Sequence, residues 1–243
     1  MKLTDKVAVI TGATGGIGSA IAHALSREGC RLVITGRDVD ALKKLQQKLA
    51  SETYIVEMDV TDGQSVNLGF KIIYKKIKQI DILINAAGVM PLTYLKNRHL
   101  EEWLETIDVN VKGCLRMIDG VLPAMKEQKR GHIINIASVD GKELYKGGAV
   151  YGASKAALIA LSRAMRMELS PEFGIKVTSV EPGTVGTNLR EDITDTELLN
   201  DKDYSDDEPK LKATDIARAV LYAISEPAGV NINELLIKPT RKS

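Results

Sequence analysis

Lys6-Val7-Ala8-Val9-Ile10-Thr11-Gly12-Ala13-Thr14-Gly15-Gly16-Ile17-Gly18-Ser19-Ala20-Ile21 is the stretch whose reading decides the fold. The apolar run Val7–Ile10 stops at a turn with glycine at positions 12, 15, 16 and 18, and an amphipathic pattern then runs from Ile17 to Glu28. A short, nearly continuous β-branched run suits a strand buried on both faces, and a 3.6-residue period suits a helix. A strand that turns through glycines into a helix presents backbone N–H groups at the helix N-terminus, where the macrodipole favours an anion such as pyrophosphate. The spacing is Gly-x-x-x-Gly-x-Gly, wider than the Gly-x-Gly-x-x-Gly dinucleotide fingerprint. A tight-packing turn would also use glycine. Placement at the first strand–helix junction favours nucleotide binding by Gly12, Thr14, Gly15, Gly16, Ile17 and Gly18.

The same alternation continues along the chain. Val7–Ile10, Arg31–Thr35, Tyr54–Met58, Ile82–Ile84, His132–Ile136, Lys176–Val180 and Glu234–Ile237 read as strands. Helical patterns cover Ile17–Glu28, Ala41–Ala50, Gln64–Lys78, Glu101–Lys126, Val150–Leu169 and Asp215–Ser225. This order predicts an α/β fold: one Rossmann-type, doubly wound domain over residues 1–243, with a parallel seven-stranded sheet and helices on both faces. Residues 187–212 break the rhythm with a polar, acidic excursion. A long insertion there suits a mobile lid over the carboxyl ends of the strands, against the plainer reading of a solvated loop.

Composition narrows the function. With 243 residues, 44% of them hydrophobic, the chain can bury a sizeable core. A formal charge of +1 gives no electrostatic footprint for nucleic acid or an anionic membrane. No apolar run approaches the ~20 residues of a membrane span, and the N-terminus lacks the pattern of a signal peptide. Cys30 and Cys114 lack metal-ligand spacing and read as buried free thiols. A cytoplasmic protein with no metal, no nucleic-acid partner and no membrane partner is expected.

Two further features carry chemistry. The second strand ends in Gly36-Arg37-Asp38, where a dinucleotide fold meets the adenosine ribose. Arg37 suits a 2′-phosphate and so NADP(H) over NAD(H), while Asp38 reads as the cap of the next helix. Tyr151 and Lys155 stand four apart in a helical pattern and share a face. A cation about 4 Å from a phenol contributes on the order of 4 kcal/mol at intermediate dielectric. That is enough to bring its pKa from about 10 toward neutrality, making a general acid/base. The bland reading is a half-buried tyrosine beside a solvated lysine.

The glycine turn, Asn85-Ala86-Ala87-Gly88, Asn110, Ser138, Tyr151, Lys155 and Pro182-Gly183 follow in order along one α/β chain, with Ser138 13 positions before Tyr151. Together they resemble the short-chain dehydrogenase/reductase family over nearly the whole length. The resemblance implies an enzyme acting on CH–OH donors with NAD(P). Tyr151 would be the proton donor or acceptor, and Lys155 would lower its pKa and hold the nicotinamide ribose. Ser138 would bind the substrate oxygen, and Asn110 would support a water connected to Lys155. Asp59 and Val60 would meet the adenine. Asn85, Ala86 and Gly88 would flank the cofactor, as would Pro182, Gly183, Val185 and Thr187.

For the substrate, the resemblance points to a pocket drawn from Val89–Pro91, Val139–Tyr145, Thr184–Leu189 and the lid. Arg190 or Lys146 is a candidate partner for a substrate carboxylate, set against both being merely solvated. The ending Gly229–Thr240 is similar to NADP-dependent members acting on 3-hydroxy acids, serine or assorted carbonyls. The expected reaction interconverts a secondary alcohol and a ketone, with a hydroxy acid or small carbonyl as substrate. The alternatives are a 3-oxoacyl-carrier-protein reductase and an NADP(H)-sensing protein with little turnover. The resemblance also implies a homotetramer, with Glu101–Lys126 and Val150–Leu169 at its interfaces.

Overall fold

The computed structural model describes residues 3–191, 193–201 and 209–240. Seven parallel strands form one sheet in the order β3-β2-β1-β4-β5-β6-β7. They are β1 Val7–Ile10, β2 Arg31–Gly36, β3 Thr53–Glu57, β4 Ile82–Asn85, β5 Gly131–Ile136, β6 Ile175–Pro182 and β7 Glu234–Ile237. The helices are α1 Gly16–Arg27, α2 Val39–Gln46, α3 Gly63–Lys76, α4 Leu100–Ile107, α5 Cys114–Gln128, α6 Ala149–Phe173, α7 Thr196–Leu199 and α8 Ala213–Ser225.

Alternate strand residues feed two cores. Val7 and Val9 face α3, α5 and α6, packing with Phe70, Met117 and Leu158. Ala8 and Ile10 face α1, α2 and α8, packing with Ile21, Leu42 and Val220. Burying each large aliphatic side chain contributes about 1.5–3 kcal/mol, so continuously apolar strands are what a sheet covered on both faces selects. The strand order reverses between β1 and β4, whose registers run Val9↔Val33 on one side and Val9↔Leu83 on the other. A crevice opens beyond the carboxyl ends of the strands at such a switch point.

One expected element differs. Glu101–Lys126 is not a continuous helix: α4 and α5 are separated by a π-helical turn, Asp108–Gly113. Its cause is local. The Asn110 side chain is drawn to the backbone of Val89, accepting from its N–H (2.9 Å) and donating to its carbonyl (3.0 Å). A widened turn accommodates that pull, as π-bulges do. Asp38 caps α2 by accepting from the Ala41 N–H at 2.9 Å, as its position predicts. Of the expected excursion 187–212, residues 192 and 202–208 lie outside the described residues.

Candidate active site

A cleft of about 720 Å³ lies at the switch point. Gly15, Gly16, Ile17 and Gly18 line one side, and Ser138, Tyr151 and Lys155 line another. Ala86, Gly88, Pro182, Gly183, Val185 and Thr187 complete the part that the sequence motifs anticipate.

The turn after β1 depends on glycine. Gly12 has φ +58, and a Cβ there would stand 2.7 Å from the Ala87 Cα. At Gly16 a Cβ would stand 2.5 Å from the Thr187 methyl, so the segment after β6 closes directly onto the turn. Helix α1 opens with no side-chain cap and no acidic residue in its first turn. Its leading N–H groups therefore suit a phosphate. Thr11, part of the turn motif but not among the expected cofactor-binding residues, joins the two sides of the switch point: its hydroxyl accepts from the N–H groups of Ala86 and Ala87, both at 3.1 Å.

Tyr151 and Lys155 lie on the buried face of α6, at 5% and 6% exposure. The Lys155 Nζ is 5.6 Å from the Tyr151 ring centroid and donates to the Ile136 carbonyl at 2.9 Å. Burial pulls the Lys155 pKa down to about 8, with Cys114 and Asp140 opposing that fall. The bland reading of a solvated lysine is thereby excluded. Ser138 ends β5, accepts from the Asp140 N–H at 3.1 Å and donates to the Pro182 carbonyl at 3.4 Å.

Asn110 stands behind this set rather than in the cleft lining. Besides bonding Val89, it donates to the Ser154 hydroxyl at 3.0 Å, and Ser154 in turn donates to the Tyr151 carbonyl at 2.7 Å. Asn85 is likewise turned inward, its amide donating to Asn135 Oδ1 at 2.9 Å and contacting Cys114 Sγ at 3.3 Å. Both cysteines are buried and free, and burial raises each thiol to about 12.

Gly12, Thr14, Arg37, Asp59 and Val60 fall outside the lining of this cleft. Arg37 is exposed at the end of β2. Burial works to raise the Asp59 pKa, yet hydrogen bonds from Thr61 and the charges of Arg37 and Arg116 hold it below the ordinary carboxylate value. Val60 is buried, and its carbonyl accepts from Arg116 at 2.9 Å.

The substrate end mixes apolar and charged groups. Met90, Leu144, Tyr145 and Leu189 line it, with Glu143 and Lys238. Lys238 was not anticipated, and it donates to Glu143 Oε2 at 2.6 Å. Lys146 is exposed outside the lining, so it does not supply the cleft's cation; the Arg190 side chain lies outside the described residues. Tyr151 packs in one apolar cluster with Met90, Leu92, Ile193 and Leu198. Asp195 secures that cover: it accepts from the N–H groups of Tyr94 (2.8 Å), Glu197 (3.1 Å) and Leu198 (3.2 Å), and from the Asn97 amide. Among the described residues there is no group of three or more His, Cys, Asp or Glu that could hold a metal, and no helix long and apolar enough to cross a membrane.

This architecture is that of a nicotinamide-type oxidoreductase fold, and the short chain dehydrogenase family model matches residues 6–198. The chain belongs to that family and is an oxidoreductase. It is 42% identical over 243 residues to an uncharacterized oxidoreductase of Staphylococcus saprophyticus, covering 98% of both chains. To one of Staphylococcus aureus it is 41% identical over 238 residues, again covering 98% of both. Among solved structures, the closed form of a serine dehydrogenase complexed with NADP+ superposes with a TM-score of 0.90 at 33% identity, over 98% of this chain and 96% of that one. An alcohol dehydrogenase from Thermococcus sibiricus complexed with 5-hydroxy-NADP gives 0.84 at 30% identity, over 96% and 95%.

Proposed function

We propose that this oxidoreductase interconverts a secondary alcohol and a ketone with NADP(H), acting on a hydroxy acid or a small carbonyl compound. The observation that carries the reading is the cleft itself, in which the glycine turn meets Ser138, Tyr151 and Lys155. The residues fit the cofactor. The uncapped α1 N-terminus suits its pyrophosphate, and the exposed Arg37 suits a 2′-phosphate. Asp59 and Val60 would face the adenine, and Pro182, Gly183, Val185 and Thr187 the nicotinamide half. When bound, the cofactor supplies or accepts the hydride.

The protein's own groups handle the rest. Tyr151 donates its phenolic proton to the substrate oxygen during reduction and takes it back during oxidation. Lys155 stays mostly protonated at pH 7, since its pKa of about 8 lies above that pH, and its charge favours the phenolate. Ser138, whose single hydroxyl proton rests on the Pro182 carbonyl at 3.4 Å, turns it to the developing charge when substrate binds. Asn110, fixed by Val89 and Ser154, holds the π-helical turn beside them and supports a water leading to Lys155. No metal is required for this polarisation. The lid, about residues 187–212, would be latched by Asp195 through Tyr94, with Ile193 and Leu198 packed against Tyr151. The Lys238–Glu143 pair in the cleft favours a substrate with a charged end over a long acyl thioester.

A homotetramer suits the surface. Leu100 and Leu104 on α4, Leu115 on α5 and Met167 on α6 are exposed apolar side chains on the helices expected at its interfaces.

The test is NADPH oxidation across hydroxy and oxo acids, small ketones and acyl thioesters, using the parent protein and Tyr151→Phe. The variant should bind NADPH as the parent does and lose about 10²–10⁴-fold in turnover. Full turnover in Tyr151→Phe would sink the mechanism. NADPH binding without turnover on any substrate would support the sensor reading instead.

A further inference from the structure

Glu181 is fully buried, in the strand that ends at the cleft, and it is not part of the machinery described above. A carboxylate in such surroundings persists only where charge and hydrogen bonds compensate it. Ser179 donates to its Oε1 at 3.0 Å. Lys142 Nζ lies 2.7 Å from its Oε2, within ion-pair distance though outside hydrogen-bond alignment. The same ammonium donates to Glu234 Oε2 at 2.8 Å, and Glu234 is held in turn by Arg163 at 2.6 Å. The two carboxylates beside it, Glu181 and Glu234, raise the Lys142 pKa above its ordinary value, so the lysine stays charged.

The connectivity gives this pair a consequence. Ser138 begins the short 3-10 turn Val139–Gly141, and Lys142 follows it directly. Glu181 is bonded through the chain to Pro182, whose carbonyl accepts the Ser138 hydroxyl. The path from Ser138 through the turn to Lys142, across to Glu181, on to Pro182 and back to the Ser138 Oγ is therefore closed. The turn is also pressed against α6: a Cβ on Gly141 would stand 2.8 Å from the Ala156 backbone nitrogen. The ion pair and the helix both hold the turn.

We propose that Glu181, paired with Lys142, is a positioning residue for Ser138, fixing the turn that carries its hydroxyl against strand β6. The inference rests on the catalytic reading above. It assigns Glu181 no contact with substrate or cofactor. Its effect must therefore pass through Ser138 and register in turnover more than in ground-state binding.

The test is a double-mutant cycle between Glu181→Gln and Ser138→Ala, with kcat, KM and NADPH affinity measured for each protein. In the parent background Glu181→Gln should lower kcat about tenfold to hundredfold, the scale of a misplaced catalytic group. KM and NADPH affinity should move less than about threefold. In the Ser138→Ala background the same change should cost less than about twofold, because the group it positions is gone. Lys142→Arg should retain turnover and Lys142→Met should repeat the loss, which keeps the test open if Glu181→Gln folds poorly. Equal losses with and without Ser138, or unchanged kcat in both Glu181→Gln and Lys142→Met, would overturn the proposal. Failure of the catalytic reading is distinguishable, since the parent protein would then turn over no carbonyl substrate at all.

Discussion

Lys155→Met should destroy turnover and yet make the ligand-free protein more stable. The lysine is 6% exposed, and burial drops its pKa from 10.5 to about 8. At about 1.4 kcal/mol per unit, that fall corresponds to about 3 kcal/mol of folding stability lost while the group is charged in both states. Methionine fills a similar volume without the charge. The exchange forfeits the hydrogen bond to the Ile136 carbonyl, worth about 1 kcal/mol. A net gain of about 2 kcal/mol remains at pH 7, or roughly 4–8 °C in melting temperature for a chain of this length. The sign depends on pH. The unfolded chain holds the proton up to 10.5 and the folded one only to about 8, so the unfolded state binds more protons between these values. Stability therefore rises with pH across that window, and the lysine's penalty fades to about 1 kcal/mol at pH 10. There the lost hydrogen bond cancels it, and the two proteins should melt together. The assay is thermal unfolding of ligand-free parent and variant at pH 7 and pH 10. A variant melting at or below the parent at pH 7, or gaining equally at both pH values, would refute the reasoning.

Two other perturbations have defined outcomes. Arg37→Ala removes the cation expected at the 2′-phosphate; charge-assisted hydrogen bonds are worth about 1.5–3 kcal/mol, so NADPH affinity should fall about 10- to 100-fold while NADH affinity stays level, and equal losses in titrations of both would show that Arg37 does not read the phosphate. Asp195→Ala unpairs the Tyr94, Glu197 and Leu198 N–H groups that hold the cover over Tyr151, so the KM for the carbonyl substrate should rise about tenfold with NADPH affinity unchanged. Burial works to raise the Asp195 pKa, but its hydrogen bonds hold it below the ordinary value. Its contribution is thus present above the unfolded carboxylate pKa of about 4 and is lost only as pH falls through the lower folded value. A KM that rises already between pH 7 and pH 5 would contradict this latch.

What the sequence discloses and what it hides divide along contact range. The central strands are legible because burial on both faces forces a short apolar run, and Val7–Ile10 agrees to the residue; the edge strand Glu234–Ile237, only partly buried, agrees as well through its Leu-Leu-Ile run. The glycine turn and the Tyr151–Lys155 pair are legible because their meaning lies in local spacing. The Asp108–Gly113 π-turn is not, since the hydrophobic period through Glu101–Lys126 is unbroken and the disturbance comes from Val89, 21 positions away.

The same division runs through the site. Thr11 reads only as part of the glycine turn until β4 brings Ala86 and Ala87 to its hydroxyl. Asn85 reads as a cleft residue by motif, but the neighbouring strand offers Asn135, and a buried amide takes the partner that satisfies it. Lys142, Glu143, Lys146 and Lys238 are indistinguishable as charges in a string. The fold sorts them: Lys142 turns to a buried carboxylate, Lys238 reaches across to Glu143 in the cleft, and Lys146 stays outside it. Local motifs therefore carry the residue types of the proposed chemistry. The charged pairs between the segment after β5 and the residues of β6 and after β7 become visible only when the sheet is assembled.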